Sequence, residues 1–279
     1  MLCKCLKYDL KCGLVKDYKK YLIAVGLFLV AAVDFYIKTD GIEITVFDYY
    51  FYIFFGMEKH VPLPGSKFKF PALWMAVMMY SSYITLYYPY KDLNGYGKNI
   101  ILFSQDKKVW YLSKCVWAFV STAVYFSLAF IVVGVFALVV GAEPSCDLSM
   151  QTVTKLLPYL TAEKPLFSDD SMYYELGIIY YFLPITVAVT NNLIELFMSL
   201  FIKPFYAFII TVSYAVVSVY YLNGFMIGNY AMLGRNTAFI SDGVNLKNGY
   251  IICFVVIISV AVIGMNVFKK QDILNREGA

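Results

Sequence analysis

Apolar residues fall along this chain in long uncharged runs separated by short charged clusters, the rhythm of a protein that crosses a bilayer repeatedly. Four runs contain no Asp, Glu, Lys or Arg: Phe70–Tyr90, Cys115–Ala142, Leu176–Ile194 and Pro204–Gly234. A fifth covers Asn248–Phe268, and a sixth, Tyr21–Ile37, is interrupted only by Asp34. A hydrocarbon core of about 30 Å takes about 20 helical residues, so each run can cross. The pattern predicts an all-α polytopic membrane protein whose transmembrane domain, 21–279, has six spans near 21–37, 70–88, 115–141, 176–199, 204–223 and 249–268.

The Pro204–Gly234 run exceeds one crossing by about ten residues, and its second half carries Asn223, Gly224, Gly228, Asn229 and Gly234. These residues break helices. Non-helical backbone at membrane depth survives only where protein or water satisfies its polar groups, so 223–246 is expected to be re-entrant and to face a neighbouring helix or a cavity.

Orientation follows from the 23 Lys and Arg, because cytoplasmic loops retain positive charge. Six lysines lie in the first twenty residues, five follow the second span (Lys91, Lys98, Lys107, Lys108, Lys114), Lys203 sits between spans four and five, and Lys269, Lys270 and Arg276 close the chain. The other face receives Lys38, Lys59, Lys67, Lys69, Lys155, Lys164, Arg235 and Lys247. Both termini are therefore expected in the cytoplasm, with 142–175 as a long outer loop. Residues 1–20 do not read as a cleaved signal, since lysines are spread through them. They read as a cytoplasmic interfacial amphipathic helix with Leu2, Leu6, Leu10 and Leu14 on one side, or else as a frayed basic tail.

Composition agrees with a membrane setting. Of 279 residues, 61% are hydrophobic and 15% charged, with mean hydropathy +0.66; a soluble domain carries about 25% charge. A water-soluble enzyme is excluded, and so is a disordered chain, given 19% aromatic residues. Twenty-one lysines against two arginines suggest AT-rich coding and hence a bacterium. Cys3, Cys5, Cys12, Cys115, Cys146 and Cys253 do not pair into a secreted disulfide pattern. The lone His60 has no ligand or triad partners around it, so no metal centre is expected. Gly95-Tyr96-Gly97-Lys98-Asn99 lacks the earlier Gly and the Ser/Thr of a phosphate-binding loop, so the chain is not expected to hydrolyse ATP or to bind a cofactor itself.

Two carboxylates fall within spans, Asp34 and Glu195. An intramembrane acid is a functional candidate by default, although both lie within two turns of an interface. Asn191, Asn192 and Lys203 stand near Glu195 in sequence as partners. Phe47–Gly56, with seven aromatics in ten residues, is too short to cross. It reads as an aromatic belt in the outer interface, or as a platform for an amphipathic substrate. The loop 89–113 places Pro89 at the end of the second span and Asp92 as the cap of a short helix, Asn94–Phe103, bearing Tyr96, Ile100 and Ile101 beside Leu93. Apolar residues on a short helix outside the bilayer either pack on their own helix ends or dock another protein.

At these residues the chain resembles the permease subunits of ABC-2 type transporters, in the Gram-positive group associated with peptide and antimicrobial-peptide export or immunity. The resemblance rests on Asp92-Leu93-Asn94-Gly95-Tyr96-Gly97 followed by Trp110-Tyr111-Leu112-Ser113-Lys114-Cys115-Val116-Trp117. It continues in Phe201-Ile202-Lys203-Pro204, in Gly228-Asn229-Tyr230-Ala231-Met232-Leu233, and in Phe268-Lys269-Lys270-Gln271-Asp272-Ile273-Leu274, so it covers nearly the whole chain. It implies a type V exporter-like architecture in the bacterial plasma membrane and a coupling helix on which Asp92, Leu93, Tyr96, Lys98, Ile100 and Ile101 meet a separate ATPase. Two copies of that ATPase would bind ATP and Mg. It also implies a second, identical or homologous permease, membrane lipid around the spans, a peptide or amphipathic substrate and no nucleic acid. Glu195, Asn223, Gly228, Asn229 and Tyr230 are then candidates for the translocation path or gate. Ala24, Gly26 and Ala31 are candidates for the protomer interface, against the simpler reading that small residues pack one bundle. The outer loop is longer than such a permease needs. The rival functions are a stand-alone secondary transporter, an integral-membrane enzyme, or a structural or sensory membrane subunit.

Overall fold

The structure, a computed structural model, describes residues 2–39, 43–57, 59, 68–104, 106–149, 151–152, 173–174, 177–240 and 242–271. His60, most of the outer loop 142–175 and the closing residues from Asp272, with Arg276, lie outside the described residues. The protein is mostly helical. In chain order come α1 (Leu2–Leu10), a π-helical turn (Lys11–Val15), α2 (Tyr18–Lys38), α3 (Val46–Phe55), α4 (Ala72–Leu86), α5 (Tyr88–Leu93), α6 (Tyr96–Ser104) and α7 (Lys107–Val139). After the two-residue strands β1 (Leu148–Ser149) and β2 (Tyr173–Tyr174) follow α8 (Ile179–Met198), α9 (Pro204–Tyr220), α10 (Ile227–Tyr230), a 3₁₀ turn (Leu233–Arg235) and α11 (Leu246–Lys270). The strands pair antiparallel, Leu148 opposite Tyr174 and Ser149 opposite Tyr173.

Among the described residues, four helices are long and apolar enough to cross a membrane: α2, α7, α8 and α11. Two of the six expected spans fall short, because α4 has 15 residues and α9 has 17, about 22 and 25 Å at 1.5 Å per residue. In α4 the helix bends at Tyr87 and Pro89 then starts α5 within its first turn, the position where a missing N–H costs nothing. Lipid-facing stripes are evident on the long helices: Leu22, Ile23, Val30 and Ile37 on α2, and Ile251, Phe254, Val255 and Ile258 on α11, are all exposed. Such side chains need an apolar solvent.

α7 is longer than its expected span. Asp106 caps it by accepting from Val109 N at 3.2 Å, and its 33 residues extend about 50 Å, well beyond a hydrocarbon core. Its first two turns, counted as loop in the sequence reading, therefore project from the bundle as a post. Around this post gather α1, α5, α6 and the last turns of α8 and α11, forming a collar with a core of Tyr88, Leu93, Ile101, Trp110, Trp117 and Phe268. Trp110 stacks on Phe268 at 4.9 Å, Lys107 Nζ donates to Gln271 O at 2.6 Å, and Gln271 Nε2 donates to Leu200 O at 3.1 Å. The first helix and Gln271 thus lie at the same end.

The larger core joins α2, α3, α4, α7 and α8. Here the aromatic segment departs from expectation: Tyr49, Tyr50, Phe51, Ile53 and Phe54 of α3 are buried, so it is neither an interfacial belt nor an open platform. Its rings are the filling between α2 and α7. Phe35 meets Tyr49 edge-on at 4.6 Å, and Tyr50 stacks edge-on to Phe130 at 4.7 Å while its hydroxyl donates to Phe130 O at 2.7 Å. That bond satisfies the one polar atom on a ring otherwise suited to burial. Thr45 and Asp48 close the start of α3 as a capping box.

Candidate functional site

The collar is fixed by ions that hydropathy alone does not show. Asp9 of α1, Asp92 of α5 and Lys114 of α7 are all buried, and Lys114 pairs with both acids, with Asp92 at 2.7 Å. Ser113 Oγ and Tyr88 OH also donate to Asp9, the latter at 2.8 Å. Trp110 Nε1 donates to Asp92 at 2.9 Å. The ammonium lies 4.8 Å from the Tyr88 ring centre and 5.0 Å from that of Trp110, close enough for cation–π attraction. Burial, and then neighbouring Asp9, pushes the Tyr88 hydroxyl well up, so it remains a donor. Buried ions are tolerable only when their remaining bonds are made, and here they are.

This geometry reassigns Asp92. It does not cap the next helix. Gly97 lets α6 pass directly over its carboxylate, since a Cβ there would collide with Asp92 Oδ2. α1 docks with a stripe of Cys5, Asp9 and Gly13, all buried, while Leu2, Leu6, Leu10 and Leu14 remain half-exposed at its flanks. Gly13 is required by contact with the Trp117 indole, which a Cβ would penetrate. Leu93 and Ile101 face the collar core, Ile100 and Lys98 are half-buried, and Tyr96 is 59% exposed. Tyr8 of α1 packs on Tyr96 at 5.1 Å. The outward surface of α5 and α6 consequently carries Tyr90, Tyr96 and Leu102.

At the opposite end, residues 227–236 run irregularly yet are buried throughout. Arg235, 0% exposed, donates to the carbonyls of Ser218 and Val219 in the last turn of α9, to Asn229 Oδ1, and to Met57 O at 3.1 Å. Asn229 Nδ2 reaches Tyr221 O at 2.8 Å and Asn223 O at 3.0 Å. Trp74 Nε1 donates to Ala231 O at 2.9 Å and Tyr230 OH to Gly224 O at 2.8 Å. A helix end with unpaired carbonyls is thereby capped by side chains from the segment that follows it, as burial demands. Gly228 presses against Ser218, and Asn223 itself is exposed.

Glu195 stands apart from these residues. Gly249 faces both Tyr230 and Leu183, which sets Tyr230 level with Leu183, and Glu195 is twelve residues farther along α8, about 18 Å. Glu195 is 2% exposed and neither carboxyl oxygen has a hydrogen-bond partner. The partners expected from sequence do not hydrogen-bond to it. Asn192 Nδ2 donates to Thr122 Oγ1 at 2.8 Å and Ser81 Oγ at 3.2 Å, and Lys203 is exposed. Asp34 is engaged differently, accepting from Lys38 at 2.6 Å and from the Tyr52 hydroxyl.

Ala24 and Ala31 are buried against the same chain. Only Gly26 of that candidate interface has open space around it. Among the described residues no group of three His, Cys, Asp or Glu is placed to hold a metal, and the described cysteines are free thiols.

Comparison with known proteins adds one finding. Residues 26–274 match the family described as "Protein of unknown function (DUF2705)". The chain belongs to that family. No curated protein and no solved structure matches this DUF2705 member. The match begins within α2, beyond Asp9, but includes Asp92, Lys114, Glu195, Asn229 and Arg235.

Proposed function

We propose that this DUF2705 protein is the membrane-spanning permease subunit of an ABC exporter in a bacterial plasma membrane, carrying a peptide or other amphipathic compound and driven by a separate ATPase. The collar would lie in the cytoplasm with both termini. α4 and α9 supply two further crossings, each prolonged at its end, α4 by α5 and α9 by the segment that contains the buried stretch 227–236. A second permease completes the path.

The observation that carries this reading is the attachment of α5 and α6. A buried ion network locks α5 onto the projecting post of α7, and α6 packs beside it through Gly97 and Ile101, while Tyr96 and Leu102 stay exposed. A rigid base under an exposed aromatic and aliphatic pair is the arrangement a docking partner uses, because a central anchor at an interface contributes more than about 2 kcal/mol. Rigid attachment also gives a bound ATPase a way to move α7, as coupling between two states requires.

Co-expression with candidate ABC ATPases from the same source, followed by purification of the permease in lipid nanodiscs, tests the proposal. A stoichiometric ATPase that is lost on Tyr96→Ala with Leu102→Ala, while the melting temperature holds, supports it. Stand-alone permease that still moves substrate without ATP refutes it. One observation favours a second reading, a cation-coupled secondary transporter: Glu195 is an unpaired acid in a span.

A further inference from the structure

We infer that Glu195 is the centre of a buried binding site for one monovalent cation, a proton or an oxygen-ligated alkali ion, built with Ser82 of α4 and Asn192 of α8. The inference goes beyond the exporter reading and holds for either function.

The argument begins with charge. An ionised carboxylate withdrawn from water and left unpaired is prohibitively costly, so one unit of positive charge must accompany it. No described ion pair supplies that charge. Lys114 on α7 is held by Asp9 and Asp92, Lys203 beyond α8 is exposed, and no described ion pair involves Glu195. A single acid balances a single charge, and no cluster suited to a divalent ion accompanies it among the described residues.

The surroundings offer oxygen. Ser82 Oγ lies beside Glu195 and donates to Asn192 Oδ1 at 2.9 Å, and the hydroxyl oxygen itself carries lone pairs that a cation can use. Asn192 is turned to match: its two amide hydrogens point away to Thr122 and Ser81, which leaves Oδ1 on the Ser82 side. Carboxylate, hydroxyl and amide oxygens are hard ligands of the kind alkali and alkaline-earth ions prefer. A residue serving only to fill space here would be apolar, as its neighbours Leu193 and Leu196 are.

The test uses full-length protein in nanodiscs and reads the melting temperature in choline, potassium and sodium chlorides at fixed pH, then in choline chloride across pH. Glu195→Gln keeps the shape without the charge. Asp48, considered below, contributes its own pH response to wild type and variant alike, so only their difference is read. An alkali-dependent rise in wild type that vanishes in Glu195→Gln identifies an alkali ion. A rise on acidification in choline that vanishes in Glu195→Gln identifies a proton. Identical responses of the two proteins in every arm overturn the site. Glu195→Asp decides the matter if Glu195→Gln does not fold: a shorter acid shifts the midpoint of the cation or pH response, and an unshifted midpoint overturns the proposal.

Discussion

Lys114 holds Asp9 across 105 positions of the chain, and this pair is what makes the first helix part of the bundle. Asp92 completes the arrangement at 2.7 Å from the same ammonium. Removing one member of a buried ion network costs about 3–5 kcal/mol, because the charges left behind have no water to receive them. Lys114→Met should therefore destabilise the protein by that order and free α1, seen as new protease cleavage within the first fifteen residues. The triple change Lys114→Met, Asp9→Asn, Asp92→Asn leaves no uncompensated charge and should recover most of the melting temperature. Equal melting of Lys114→Met and wild type would show that the network contributes nothing.

Gly13 and Gly26 make a matched pair for a second experiment. Gly13 abuts Trp117 with no room for a Cβ, whereas Gly26 has open space around it. Gly13→Ala should loosen α1. Gly26→Ala should raise helix stability by up to about 1 kcal/mol in an isolated protomer. If a second permease packs on this face of α2, Gly26→Leu should lower the cross-linked dimer yield without changing protomer melting, which separates the interface from the fold.

How far the sequence carried depended on which force shaped each element. The long apolar runs that became α2, α7, α8 and α11 were legible because lipid exposure leaves an uncharged stretch. Burial of the irregular stretch 227–236 was legible from glycine and asparagine placement. The collar was not, because Asp9, Asp92 and Lys114 look in sequence like ordinary solvated charges, as does Arg235 at the other end, and hydropathy counts each as a mark of exposure. A spacing of four separates Cys5, Asp9 and Gly13, and this small stripe was the available signal; the leucine stripe beside it was stronger and misleading. The aromatic α3 misled for the opposite reason, since rings suited to an interface also suit a core.

Asp48 should give the far end of the bundle a pH response. Its carboxyl accepts from Thr45 N at 2.8 Å and Ser149 N at 3.0 Å, yet burial outweighs these bonds and pushes it up to about 6. The unfolded value is near 3.9. The native state therefore holds the proton more tightly, and stability falls as pH rises from about 4 through 6, by an amount on the order of 3 kcal/mol. Melting followed from pH 4 to 8 should show that decline in wild type. Asp48→Asn should be flatter and start lower in acid, since its amide cannot accept from both N–H groups at once. A wild-type profile that rises over the same interval would contradict the assignment.

Arg235 is the last and most specific test, because its buried guanidinium satisfies backbone carbonyls at the end of a helix. Its guanidinium caps Ser218 and Val219, two carbonyls in the final turn of α9, and also binds Asn229. Positive charge at a helix C-terminus is favourable in its own right, and a planar fork reaches several acceptors that one ammonium cannot. Each buried acceptor left bare costs about 1–3 kcal/mol. Arg235→Ala should thus strip the cap, and Arg235→Lys should restore charge without restoring it. The expected order of melting temperatures is wild type, then Arg235→Lys, then Arg235→Ala. Opening of the segment can be read independently. With native cysteines replaced, Ala231→Cys occupies a fully buried position and should resist a membrane-impermeant thiol reagent, becoming reactive when combined with Arg235→Ala. Labelling that is equal in the two backgrounds, together with unchanged melting, would remove Arg235 as the residue that keeps this irregular segment inside the bundle.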